Sequence, residues 1–168
     1  AGSIHDIDVT VHNLKESAGT ISNDGFNVDQ ATVNGAQATT NTITVVTGNL
    51  LKVGDFVYLN DSISGSIVQR KVTASSDTSI TIDGDAVTVA DTEIISNIKI
   101  IIYRTIDFSS SGVPGLFYVT GEVVNDKDTD TQLFTDTTSD TNLQSNIQLV
   151  EPIKSHGLPP VCKYMIPW

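Results

Sequence analysis

From Thr42 to Tyr103 the chain is a series of short runs rich in Val, Ile and Thr, each stopped by Gly, Asp, Asn or Ser. No helix of ordinary length fits between such stops. β-Branched side chains are stiff at χ1 and suit a pleated, half-buried surface. Turn residues at this density fold successive strands back on one another. Strands are expected over residues 42–46, 50–59 (with a tight turn at Gly54-Asp55), 66–74, 79–82 and 94–103. The turns fall at 61–65, at Ser75-Ser76-Asp77 and at Asp83-Gly84-Asp85. The expected fold class is all-β, with a small antiparallel β-barrel or sandwich over residues 42–105.

The flanks are less regular. Residues 4–12 alternate, with Ile7, Val9 and Val11 on one face, and are expected to form a strand. Residues 13–41 are rich in Asn, Gly, Thr, Ser and Ala, with turn signals at Asn23-Asp24-Gly25 and Asn34-Gly35. An extended arm is expected there, with short strands near Ile21 and Val33. Residues 115–124 form a strand and 125–142 a polar loop rich in Asp and Thr. A further strand is expected over 146–153, with a short helix within 139–150 as the alternative. Prolines hold the end of the chain extended. Three parts result: an N-terminal strand and arm (1–41), the barrel (42–105), and a C-terminal β segment with an extended tail (106–168). Strand 4–12 and the strands after Phe108 would form a second β layer around the barrel. That layout requires strand 4–12 to pair with something beyond residue 108.

Composition bounds the function. The chain has 168 residues, 39% of them hydrophobic, enough for one core or two small β modules. Its formal net charge is −11, carried mainly by Asp. That sign repels phosphate backbones and anionic lipid, so neither nucleic acid nor membrane is an expected partner. No apolar run is long enough to cross a bilayer as a helix, and no charged-then-apolar leader opens the sequence. Cys162 is the single cysteine, so no intrachain disulfide or Cys-based zinc site is expected.

Catalytic chemistry finds little footing. His5 and His12 are an odd number of residues apart and face opposite sides of one strand. His156 and Cys162 lie in the tail with no assignable partner. There is no Gly-x-Ser-x-Gly elbow and no Gly-rich loop followed by Lys. No enzymatic activity and no cofactor are expected. Asn60-Asp61-Ser62 fits the glycosylation triplet, and Asp83 and Asp85 flank a hairpin turn at Gly84. The candidate metal ligands are Asp126, Asp128 and Asp130, spaced like the first three ligands of a calcium loop. Thr131 then stands where such a loop needs Gly, and Thr137 where it needs a bidentate Glu. A solvated acidic loop is the competing reading.

The tail holds the candidate partner contacts. Tyr164, Met165, Ile166 and Trp168 are apolar, yet prolines keep them from building a core of their own. They either fold back on the body or dock on a neighbouring subunit.

Leu51-Lys52-Val53-Gly54-Asp55-Phe56-Val57, the strand over 68–74 and the Ser79-Ile80-Thr81-Ile82-Asp83 hairpin together carry a resemblance. They are similar to the small β-barrel modules of tailed-bacteriophage virion proteins, over about residues 42–104. The scarcity of charge and abundance of Thr, Asn and Asp also resemble capsid decoration (cement) proteins. The resemblance implies a virion structural protein acting through oligomeric contacts, as a homo-oligomer (a trimer favoured) on the major capsid protein. A tail, neck or baseplate component is the alternative within the class. A carbohydrate- or receptor-binding module is the alternative outside it, and it needs exposed aromatic platforms.

Overall fold

The structure is a computed structural model and describes residues 7–15, 28–105, 117–143, 145 and 146. It is all-β. The strands are β1 (Ile7–His12), β2 (Gln30–Thr32), β3 (Gln37–Thr40), β4 (Thr42–Thr44), β5 (Phe56–Asp61) and β6 (Ser66–Ser76). They continue as β7 (Ser79–Ile82), β8 (Val87–Val89), β9 (Ile94–Ser96), β10 (Lys99–Thr105), β11 (Phe117–Val124) and β12 (Thr131–Asp136). A single helical turn, α1 (Asp140–Leu143), lies within residues 139–150, where a short helix is the alternative expectation.

Six strands form one curled antiparallel sheet in the order β2-β9-β5-β6-β7-β4. The long strand β6 does the curling. Its first half pairs with β5 and its second half with β7, with a register shift between Val72 and Ala74. The two sheet edges then meet at one bridge, Val33 to Val45, flanked by N–H···O bonds of 3.0 and 2.8 Å. Closure removes the free edges that an open sheet would expose at that point. Inside lie Val33, Ile43, Val57, Leu59, Val72, Ile80, Val87 and Ile95, all fully buried. The short pair β3–β8 completes this part. At the Val53-Gly54 turn, Gly54 has φ +102°, a region open to glycine at little cost, so the expected tight turn has its physical reason.

The remaining strands form two antiparallel ribbons, β1–β12 and β10–β11. β1 pairs along its length with β12, from Ile7–Asp136 to His12–Thr131. The strand near the N-terminus thus finds its partner beyond residue 108. Phe134 of β12 packs on Gly121 of β11, and Tyr118 packs with Leu143 of α1, both buried.

Three expectations need correction. Residues 28–41 are not an arm but part of the barrel, because β2 pairs with β9 and Ala31 and Val33 enter its core. Only a strand near Val33 was legible there; Ile21 lies outside the described residues. The run 94–103 is two strands, not one. Asn97 exchanges bonds with Asp29, its N–H donating to the Asp29 carbonyl and its Oδ1 accepting from the Asp29 N–H, both at 3.1 Å. The Ser96 hydroxyl meanwhile accepts from the Ile98 N–H at 3.2 Å. The polar Ser96-Asn97 step thereby turns the chain from the barrel into the second layer. Finally, the polar stretch 125–142 contains β12, whose Gln132, Phe134 and Asp136 face inward and are less exposed than Thr131, Leu133 and Thr135 between them. The expected strand over 146–153 lies almost wholly outside the described residues.

Candidate functional site

The turn between β11 and β12, residues 125–130, is the polar junction of the molecule. Asn125 is fully buried. Its Nδ2 donates to the Leu14 carbonyl at 3.1 Å and its Oδ1 accepts from the Leu14 N–H at 2.7 Å. One side chain thus imitates a strand pairing with the end of β1. The Asn125 N–H donates to the Ile98 carbonyl at 3.1 Å, beside the point where the chain leaves the barrel. Gln30, buried on β2, spends both ends of its amide on the same turn. Its Nε2 donates to Asp128 Oδ2 at 2.8 Å and Asp126 Oδ1 at 3.3 Å, and its Oε1 accepts from the Lys127 N–H at 2.8 Å. Asn13 completes the junction, donating to Thr129 Oγ1 at 2.9 Å and accepting from Gln132 Nε2 at 2.6 Å.

Asp126, Asp128 and Asp130 are not brought together as a metal site. Asp126 accepts from the Asp128 N–H at 3.0 Å and from the Thr129 hydroxyl at 3.0 Å, capping its own turn. Asp130 points away to Lys15 at 2.5 Å. That hydrogen bond and charge hold its carboxyl below the usual carboxylate range. Among the described residues no group of three or more His, Cys, Asp and Glu stands where it could hold a metal. Asp126 is taken by local turn bonds, which short polar side chains make readily, while Asp128 accepts from Gln30 and Asp130 from Lys15.

Other carboxylates are also engaged. An open groove of about 340 Å³ between barrel and second layer is lined by Asp91, Glu93, Glu122 and Asp126. Asp91 accepts from the Gly35 N–H at 2.7 Å, Glu93 from the Asn60 amide, and Glu122 pairs with Lys99 at 2.5 Å. The buried Asp136 accepts from Arg104 Nε at 2.7 Å and from the Thr138 N–H at 2.8 Å. Burial alone would raise its carboxyl; Thr120, the Thr138 N–H and Arg104 outweigh that and hold it below its ordinary value. Asp83 accepts from the Lys71 N–H at 2.8 Å beside the Gly84 turn. His12 is exposed at the end of β1. His5, His156, Cys162 and the tail contacts Tyr164, Met165, Ile166 and Trp168 lie outside the described residues.

What the sequence missed is a set of large apolar side chains standing in solvent on turns and strands. Ile63 is 70% exposed, Leu133 67%, Val53 63%, Phe56 57% and Phe117 51%. Periodicity alone could not flag them: Val53, Phe56 and Phe117 stand close to the buried Leu51, Val57 and Tyr118, and Ile63 is a lone apolar residue in a polar loop. No helix among the described residues is long and apolar enough to cross a membrane. Comparison with family models, with curated proteins and with solved structures finds no match.

Proposed function

We propose that the chain is a structural subunit of a larger assembly, of the capsid-decoration kind that the barrel segment resembles, acting through contact surfaces and not through chemistry. The observation that carries this reading is how its polar and apolar side chains are distributed. Among the described residues the buried polar side chains hold turns and layers together, while several large apolar side chains stand exposed on strands and turns. Burying such side chains against a neighbour stabilises an assembly by roughly 25 cal/mol per Å², before the cost of association. In this reading the chain forms a homo-oligomer, a trimer by preference, and binds a viral shell through its major capsid protein. Tyr164, Met165, Ile166 and Trp168 of the tail are subunit contacts. Native mass spectrometry of the full chain, followed by co-sedimentation with undecorated shells, tests it. A defined oligomer that pellets with shells supports the reading. A monomer at all concentrations, with no shell binding, overturns it.

A further inference from the structure

The β10–β11 ribbon has two unequal faces. Register puts Ile102, Arg104, Tyr118 and Gly121 on one of them. That face is covered: Phe134 lies on Gly121, Leu143 packs on Tyr118, and Asp136 binds Arg104. The other face carries Lys99, Ile101, Tyr103 and Thr105 of β10 opposite Val124, Glu122, Val119 and Phe117 of β11, with Glu122 drawn to Lys99 at 2.5 Å. Its barrel-proximal end is closed by Lys99, whose ammonium lies 5.2 Å from the centre of the Tyr58 ring. Farther out, Ile101 is 41% and Phe117 51% exposed, with Tyr103 and Val119 only half-buried between them. An apolar stripe on a strand ribbon is a ready receptor for an extended apolar segment.

We propose that this stripe receives the C-terminal segment, residues 158–168, of a second copy of the chain. The inference rests on the oligomeric reading above and names the surface that the tail engages. Two observations single out this occupant. Asn146 ends the described chain, and its Nδ2 donates to the Val119 carbonyl at 2.8 Å. The described chain thus ends beside the ribbon, after α1 has packed on the opposite, Tyr118 face. The 22 residues beyond Asn146 are ample to reach a neighbour, at up to about 3.3 Å per extended residue. Charge agrees. Residues 147–168 carry Lys154 and Lys163 against Glu151 alone, in a chain whose total is −11. A weakly cationic apolar tail is attracted to an acidic neighbouring body.

Two full-length variants test this by complementation. One carries Ile101→Asp and Phe117→Asp, which spoil the stripe at exposed positions; the other carries Ile166→Asp and Trp168→Ser. Far-UV circular dichroism checks that both keep the wild-type fold, and analytical ultracentrifugation reads association. Each variant alone is expected to self-associate about tenfold or more weakly than wild type. An equal mixture joins an intact stripe to an intact tail and is expected to regain heterodimers. If the stripe variant keeps the wild-type oligomer, the receptor lies elsewhere and this inference falls while the oligomeric reading stands. If the tail variant exposes dye-binding apolar surface but no mixture associates, the tail folds on its own body and the inference falls. A monomeric wild type overturns both.

Discussion

Gly121 sits under the ring of Phe134 so closely that a Cβ there would stand 2.3 Å from the ring Cζ. No real contact is that short, so any side chain at residue 121 forces the ring to move. Replacing Gly by Ala also narrows the unfolded ensemble, a gain of roughly 0.4–1 kcal/mol. Overpacking costs roughly 1–3 kcal/mol and wins. Gly121→Ala is therefore expected to destabilise by about 1 kcal/mol in urea denaturation. In a Phe134→Leu background the same change becomes neutral or stabilising, which a double-mutant cycle reads directly. Asp61 gives a second residue-scale test. Its carboxyl is lowered to about 2, first by the Thr88 N–H at 3.0 Å, with Ser64 and Ile63 adding further bonds. A depressed carboxyl stabilises the fold above its ordinary value of 3.8, and that contribution fades as pH falls through about 2. Its carboxyl carbon should titrate near pH 2 in NMR, with the Thr88 and Ser64 amides shifting in step. A midpoint near 3.8 would show that the Asp61 loop is not so held.

Among the elements, legibility followed β-forming composition between turns. The strands at 56–61, 66–76, 79–82 and 117–124 announce themselves because runs rich in Val, Ile, Thr or aromatic residues lie between clear turn residues. β2 was legible only as a short strand near Val33, and β8 and β12 were hidden, each for its own reason. β2 buries Gln30, a polar residue that reads as loop until its amide partners on residues 126–128 are known. β8 is three residues long, and β12 sits in a Thr- and Asp-rich stretch whose pattern is set by pairing with β1, far away in sequence. The acidic turn was legible as a feature and not as a role. Spacing predicts where alternate side chains go on a regular loop, but Asp126 and Asp130 are claimed by Thr129 and Lys15. Asn125 had no signal at all, though it ties three elements. Asn125→Ala removes a fully buried side chain and leaves the Leu14 N–H and carbonyl without their partner. A loss of about 1–3 kcal/mol is expected by chemical denaturation, since two hydrogen bonds are lost at roughly 0.5–1.5 kcal/mol net each. Thr129→Ala, at an exposed position, should cost far less.

At the scale of the molecule, two unequal cores share one polar seam. The barrel core joins thirteen buried side chains, from Ala31 to Ile95. The second layer has Tyr118 and Leu143 packed together, with Val11, Ile102 and Val124 also buried. Stability per element should follow that inequality, because local opening is resisted mainly by buried apolar contact. Native-state hydrogen exchange is expected to show the amides of Leu59, Val72 and Ile80 opening only near global unfolding. Those of Val9, Val11 and Leu133 in the β1–β12 ribbon should open at lower free energy. Gln30→Ala is the sharper probe, since Gln30 belongs to the barrel by backbone and to the seam by side chain. The variant should lower protection in β1 and β12 while leaving β5 and β6 nearly unchanged. Equal losses in both layers would mean that the seam transmits stability as fully as a shared core does, and that the molecule unfolds as one unit. The unequal result would place the less stable layer beside the exposed stripe of β10–β11, where docking a neighbour's tail would contribute most to holding it closed.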